Sequence, residues 1–135
     1  MRPEPALLIG LMSGTSLDGT DGVLVRFGAG AARQCLGHVH QPFEPALRSE
    51  LLALNRAGPD ELHRAALAAN GVARAYGGVV AELLGRCGVA ASAVTAIGAH
   101  GQTVRHRPGE FDGNGYTLQL LNGALLAELT GIDVV

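Results

Sequence analysis

The sequence predicts an α/β domain in which a β-sheet packs against one long helix. Short apolar runs at Ala6–Met12 and Gly22–Phe27 are typical of buried strands, and a polar turn joins them. From Pro59 to about Gly88, apolar residues recur at steps of three and four, which is the period of an amphipathic helix. A further apolar run at Val94–Ala99 follows that helix, so strands and helices alternate in the second half of the chain.

The first half of the chain predicts three strands and a short helix. The segment Arg33–Phe43 has strand character, although Gly37 interrupts it. Because the connections between the three strands are short, we expect them to form an antiparallel meander. A helical pattern follows from about Glu44 to Asn55.

The long helix is expected to pack closely against the sheet. Pro59 stands where a proline is favoured in the first turn, and two acidic residues follow it. Gly71, Gly77 and Gly78 each weaken the helix by roughly 1 kcal/mol relative to alanine, so they predict a close approach to a neighbouring element. The residues predicted to form the apolar face are Leu62, Ala66, Ala69, Ala73, Tyr76, Val80 and Leu83.

The last third of the chain combines a polar segment with three short elements. The residues from His100 to Gly115 predict a loop that is too long for an ordinary turn, and loops of that length are often functional. The elements after it are a strand at Tyr116–Leu121, a short helix at Ala124–Leu129 and a final strand at Ile132–Val135.

Composition excludes several classes of protein. The basic residues are all arginine and the net charge is -2, so no electrostatic footprint for nucleic acid or an anionic membrane exists. Cys35 and Cys87 form no CxxC or zinc pattern, which suits a reducing compartment. The run Ala6–Met12 is too short to span a bilayer. We therefore expect a cytoplasmic protein without nucleic-acid or membrane partners.

The turn between the first two strands is a candidate phosphate-binding loop. It reads "SGTSLDGTD", and its glycines allow backbone N–H groups to approach an anion closely. The hydroxyl groups of Ser13, Thr15 and Ser16 could donate to the same anion. Asp18 and Asp21 could hold a magnesium ion against the phosphate oxygens, largely through water molecules.

Other interpretations of this loop remain open from the residues alone. Hairpin turns collect glycine, serine, threonine and aspartate for backbone reasons, without any ligand. The loop is not a Walker A motif, because the chain contains no lysine. A serine hydrolase loses its support as well, since Ser16 lacks the second glycine of a nucleophile elbow.

A second polar motif, "HGQTV", follows a buried strand. His100, Gln102 and Thr103 supply donors and acceptors that suit the hydroxyl or amide groups of a sugar. A capped loop with a satisfied histidine is the alternative. His38 and His40 lie two residues apart on one face of a predicted strand, where they form either a metal-binding pair or a solvated edge.

Four stretches in this order resemble the N-terminal part of the anhydro-N-acetylmuramic acid kinase family. They read "GLMSGTSLDGTDGVLV", "AIGAHGQTVRHRP", "YTLQL" and "LLAELTGIDVV". The resemblance implies the fold shared by actin, sugar kinases and heat-shock chaperones, in which two lobes with ribonuclease-H-like mixed sheets enclose ATP. Residues 1–135 would form the N-terminal lobe, with the second lobe absent from this chain.

The resemblance also implies a reaction and its binding residues. The family uses ATP and magnesium to convert 1,6-anhydro-N-acetylmuramic acid to N-acetylmuramic acid 6-phosphate in peptidoglycan recycling. Water opens the anhydro ring, and the freed oxygen takes the phosphoryl group. The residues that match the ATP-binding loop are Gly14, Thr15, Ser16, Leu17, Asp18, Gly19, Thr20 and Asp21, with Asp18 on the metal side. The residues that match the sugar-binding motif are His100, Gly101, Gln102 and Thr103.

The same resemblance limits what these residues are expected to do alone. The family's catalytic aspartate is expected just after Val135, so we expect the 135-residue chain not to turn over. Where many relatives have Gly-Asp, this chain has Leu121 and Asn122. A non-catalytic sugar- or phosphate-binding module derived from the kinase is the alternative function. A homodimer is a family-level expectation.

Overall fold

A computed structural model describes residues 5–30 and 32–135, so residues 1–4 and 31 of the expected lobe lie outside the described residues. The described residues form a mixed sheet of five strands: β1 (Ala6–Ser13), β2 (Thr20–Phe27), β3 (Arg33–Gln41), β4 (Ala96–Pro108) and β5 (Gly115–Leu120). Their order across the sheet is β3-β2-β1-β4-β5. The helices are α1 (Pro45–Ala53), α2 (Glu61–Cys87) and α3 (Gly123–Thr130).

The predicted antiparallel meander is confirmed. β1 pairs with β2 and β2 with β3, both antiparallel. The interruption at Gly37 is a register shift, because the pairing of β2 with β3 changes step between Leu24 and Val25. A Cβ atom at Gly37 would lie 2.6 Å from the sulfur of Cys87, so glycine lets the end of α2 approach this strand.

The long helix is confirmed, but two details of its prediction are wrong. It begins at Glu61, so Pro59 lies before the helix, and Asp60 at the N-cap adopts a left-handed φ of 52°. Ala73, Tyr76, Val80 and Leu83 are buried as predicted, whereas Leu62 is 90% exposed and Ala66 is exposed. The first turns contact α1, where the Arg64 guanidinium pairs with Glu50 at 2.7 Å, and they also contact β4, where Arg105 pairs with Glu61.

The predicted long loop at residues 100–115 is wrong. β4 continues through this segment to Pro108 and forms a hairpin with β5, so only residues 109–114 connect the two strands. The segment has a polar composition because much of the hairpin is exposed, while several of its inward polar groups have partners. The Arg105 guanidinium, for example, donates to the Leu54 carbonyl at 3.0 Å and pairs with Glu61.

The C-terminal residues return to β4. The predicted final strand at Ile132–Val135 is reduced to a parallel bridge between Val134 and Ile97. Backbone hydrogen bonds of 2.8 to 2.9 Å support it, including one from Ala99 N–H to the Val135 carbonyl. β4 therefore pairs with β1 along one edge. Along its other edge, the start of β4 pairs with the C-terminal residues and the rest pairs with β5. Within the described ranges, none of the helices combines the length and the hydropathy needed to cross a bilayer.

Candidate functional site

The β1–β2 loop, residues 14–19, is held to the domain by Leu17. This side chain is buried although its backbone adopts a left-handed φ of 56°, and its N–H closes a turn on the Gly14 carbonyl at 3.2 Å. Arg48 of α1 donates from Nε to the Leu17 carbonyl at 3.0 Å. Gly19 has a φ of 150° and packs against the Gln41 carbonyl, which leaves no room for a side chain. The loop is thus anchored at its centre and its end.

The outer residues of this loop offer free donors. Thr15, Ser16 and Asp18 are exposed, and their backbone N–H groups donate to no other group in the described part of the chain. Their side chains make no hydrogen bond within the same residues either. The adjacent unpaired N–H groups of Thr15 and Ser16, beside hydroxyl groups, form an anion-binding surface. The geometry therefore suits a phosphate group.

Four polar side chains lie buried beneath the loop, and we call them the buried polar cluster: Ser13, Thr20, Tyr76 and Gln102. Ser13 ends β1 and is the register partner of Gln102 on β4. Its hydroxyl lies 3.0 Å from the Tyr76 hydroxyl and donates to the Gly101 carbonyl at 3.3 Å. The cluster thus joins β1, β4 and α2 at one point.

Gln102 connects the two sequence motifs directly. Its Nε2 donates to the Gly14 carbonyl at 3.1 Å and to the Thr103 carbonyl at 3.2 Å. Its Oε1, like the Thr20 hydroxyl, has no hydrogen-bond partner in the described part of the chain. An unsatisfied buried polar group costs about 1–3 kcal/mol, so a group that hydrogen-bonds to either atom would be favoured.

The hydroxyl of Tyr76 remains a donor over the physiological pH range. Burial raises the pKa of this phenol above 10.0, against the opposing effect of its hydrogen bond with Ser13. Because Ser13 gives its own proton to the Gly101 carbonyl, the Tyr76 hydroxyl donates to Ser13 Oγ.

The four residues of the predicted sugar motif have different surroundings. His100 is exposed, with Nδ1 3.0 Å from the Gly101 carbonyl oxygen. Gly101 has a φ of 79° and is buried against the Leu120 carbonyl. The Thr103 hydroxyl accepts a hydrogen bond of 3.1 Å from Gln119 in the hairpin. Of the four, His100 is therefore the residue whose side chain is most available to a ligand.

A groove of about 420 Å³ runs between His100 and Asp21 on the sheet face opposite α2. Its floor contains Gly10 and Gly98, which are register partners on β1 and β4. Because neither residue has a side chain, the sheet is indented there between the larger neighbours. Other lining residues are Leu11, Met12, Val23 and His38.

His38 and His40 both bond to Asp21 rather than standing as a free pair. Their ring nitrogens lie 2.9 and 3.2 Å from the same Asp21 Oδ1. Partial burial raises the pKa of Asp21, but the two histidine hydrogen bonds outweigh it and hold the pKa below 3.8. Among residues 5–30 and 32–135, no three or more histidine, cysteine or acidic side chains are grouped to hold a metal ion. Asp18 would thus have to share a metal with water and phosphate oxygens.

Sequence reasoning missed Tyr76 and Arg48 as residues of the site. Tyr76 was predicted only as part of an apolar face, although a buried tyrosine hydroxyl needs a hydrogen-bond partner and so signals a polar neighbour. Ser13 was expected to donate to a ligand, yet it is buried and bonds to Tyr76 and Gly101. For Arg48, the sequence carried no signal that it would reach Leu17.

The sheet order, the parallel pairing of β1 with β4 and the glycine-hydroxyl loop between β1 and β2 define a class of protein: the mixed α/β lobes of the sugar kinase and actin-like ATPase fold. Comparison with known proteins gives the particular family. The family model described as anhydro-N-acetylmuramic acid kinase matches residues 6–135, and the chain belongs to that family.

Curated relatives named anhydro-N-acetylmuramic acid kinase support this assignment. The chain is 66% identical to the protein from Albidiferax ferrireducens over 129 residues, and 67% identical to that from Bordetella petrii over 129 residues. It is 64% identical to the protein from Variovorax paradoxus over 131 residues. Each match covers 96% of this chain and 33 to 34% of the relative, so the chain spans about a third of the length of these relatives, at their N-terminal part.

Proposed function

We propose that these residues form the N-terminal lobe of an ATP-dependent kinase that converts 1,6-anhydro-N-acetylmuramic acid to N-acetylmuramic acid 6-phosphate in cytoplasmic peptidoglycan recycling. In this proposal the β1–β2 loop binds the phosphates of ATP, and the groove beside His100 faces the sugar. The observation that carries the proposal is the hydrogen bond from Gln102 to Gly14, which brings the two motifs together.

The loop has the donors that phosphates need. The unpaired amides of Thr15, Ser16 and Asp18 stand beside two exposed hydroxyl groups, and Leu17 and Gly19 hold the backbone in place. Catalysis of phosphoryl transfer requires mainly that the protein position the reacting groups and stabilise the charge on the phosphoryl group electrostatically. Rigid backbone donors supply both without a lysine.

The residues present also fit a magnesium ion bound with the nucleotide. Asp18 is an exposed carboxylate with no hydrogen bond in the described residues, so it is free to accept metal-bound water or to coordinate directly. Magnesium would neutralise charge on the phosphate oxygens.

The proposed reaction breaks one sugar bond and forms two. A water oxygen bonds to the anomeric carbon as the bond from that carbon to the bridging 6-oxygen breaks, and the 6-oxygen takes the terminal phosphoryl group of ATP, releasing ADP. The water's proton passes to a base that we do not assign within these 135 residues. We therefore propose that the chain binds ligands but does not turn over alone.

The test is a chimera in which this chain replaces the matching N-terminal third of the Albidiferax ferrireducens relative. We expect the chimera to form the sugar phosphate from ATP and the anhydro sugar, and the isolated chain to form none. In water enriched with heavy oxygen, the label should appear at the anomeric carbon. The unmodified relative is the positive control.

Two results would contradict the proposal. A folded chimera that is inactive, beside an active relative, would remove this chain from the kinase. Product formed by the isolated chain, after a mock purification has excluded contaminating kinase, would show that the base lies within these residues.

A further inference from the structure

We propose that Tyr76 is a positioning residue. It sets the distance between the β1–β2 loop and the predicted sugar motif, which begins at His100. This inference rests on the proposed function, because it assigns Tyr76 to the same site. Tyr76 lies in the middle of α2, far along the chain from both motifs, and its side chain is fully buried. It contacts no ligand in this proposal.

The connection runs through Ser13. The Tyr76 hydroxyl donates to Ser13 Oγ at 3.0 Å, and Ser13 Oγ donates in turn to the Gly101 carbonyl at 3.3 Å. Ser13 directly precedes the loop, while Gly101 directly follows His100. The Tyr76 hydroxyl on α2 thus holds the end of β1, at Ser13, in a fixed position relative to Gly101 on β4.

Neighbouring features explain why this bond is needed. The parallel pairing of β1 with β4 is regular from Leu8 to Leu11 but shifts register between Leu11 and Ser13. Gly101, with its left-handed φ of 79°, lies at the same level. The regular ladder therefore stops where the two motifs begin, and side-chain bonds from Ser13 and Gln102 replace it.

A purely structural role for Tyr76 makes a different prediction. If the hydroxyl only satisfied a core hydrogen bond, its loss would lower the free energy of unfolding but leave the folded geometry and turnover unchanged. If it positions the site, its loss changes the folded state locally. Misplacement of reacting groups by about 1 Å costs on the order of a hundredfold in rate, so turnover is a sensitive measure.

The experiment compares Tyr76→Phe with Tyr116→Phe, since each removes one hydroxyl and keeps the ring. Tyr116 is 43% exposed and stacks on Phe111 in the hairpin, away from the cluster. In the isolated chain, we expect Tyr76→Phe to shift the backbone amide NMR signals of residues 14–19 and 100–102, but not those of Leu24 or Val39. Tyr116→Phe should leave both motifs unchanged.

The second measurement is steady-state turnover of the chimera, well below its unfolding temperature. We expect Tyr76→Phe to lower kcat about tenfold or more while KM for ATP and for the sugar changes by less than about threefold. Ser13→Ala should lower kcat similarly, and combining the two substitutions should add little, because both break the same chain of bonds.

Each outcome decides the matter. Unshifted signals in both motifs, or an unchanged kcat in an active chimera, would overturn the role of Tyr76. If the unsubstituted chimera is itself inactive, the proposed function fails, and the NMR comparison in the isolated chain still decides whether Tyr76 positions the two motifs.

Discussion

The side-chain amide of Gln102 donates a hydrogen bond of 3.1 Å to the carbonyl of Gly14, a residue 88 positions earlier in the chain. Gln102 is fully buried, so this bond is shielded from water. It joins the glycine-hydroxyl loop to the strand that carries His100. Two motifs that lie far apart in the sequence are therefore in direct contact in the fold.

Gln102→Glu should destabilise the fold. The substitution replaces the Nε2 donor with an oxygen that repels the Gly14 carbonyl, and it places a carboxyl group in a buried position. We expect a loss of about 1–3 kcal/mol or more in urea unfolding of the chain. Gln34→Glu is the matched control, because Gln34 is exposed and uses Oε1 to accept from Arg26. Equal midpoints for the two variants would refute the role of Gln102.

Asp18→Asn should reduce turnover of the chimera without unfolding it. A carboxylate that organises magnesium contributes several kcal/mol to the transition state, so we expect kcat/KM to fall about a hundredfold or more. Circular dichroism and the unfolding midpoint should be unchanged, since Asp18 is exposed and unbonded in the described residues. Asp133→Asn, at another exposed aspartate, is the control. A normal rate would take Asp18 out of the site.

The bond from Asp21 to two histidines should stabilise the fold only when the carboxyl group is ionised. Burial raises its pKa, but the His38 and His40 hydrogen bonds prevail and hold the pKa below its ordinary 3.8. A group with a lowered folded pKa stabilises above its unfolded pKa and loses that contribution as the pH falls through the folded pKa. The urea midpoint of Asp21→Asn should therefore lie below that of the unsubstituted chain at neutral pH. The two should converge below pH 3.8. A difference that persists in acid would contradict this account.

Two glycine substitutions should have opposite signs. A Cβ atom at Gly22 would meet the Val79 side chain of α2, along with Leu11 and Leu83. We expect Gly22→Ala to destabilise by about 1–3 kcal/mol through overpacking. Gly85 lies in α2 with nothing within 4 Å of its Cβ position, so Gly85→Ala should stabilise by roughly 1 kcal/mol. Thermal unfolding midpoints that move in the same direction for both would show that the β2–α2 contact is misjudged.

Local patterns were sufficient to predict most of the fold. Continuous apolar runs in β1 and β2 and the period of α2 depend on burial against one face, which the sequence records residue by residue. The error at residues 100–115 has a physical cause. An exposed hairpin needs few apolar residues, so β4 beyond Ala99 had the composition of a loop.

The candidate site was predictable only in part. The residue types of the β1–β2 loop indicate phosphate chemistry, but not that Thr20 faces inward while Thr15 faces outward. The bonds of Tyr76 and Arg48 depend on how α2 and α1 lie against β1, which no local pattern encodes. The role of Asn122 was not predictable from a local pattern either. Its Oδ1 accepts a hydrogen bond from the Leu125 N–H and so caps α3, which depends on where the helix begins.

The parallel pairing of β1 with β4 also determines when the site can form during folding. The hairpins β1–β2 and β4–β5 close short loops and can form early, whereas Ser13 and Gln102 meet only after the whole intervening chain has been brought together. Closing that long loop is entropically costly and is compensated only when β1, β4 and α2 have all assembled. Partly folded chains therefore carry both motifs without a site, and a ligand that requires both would select the completed fold.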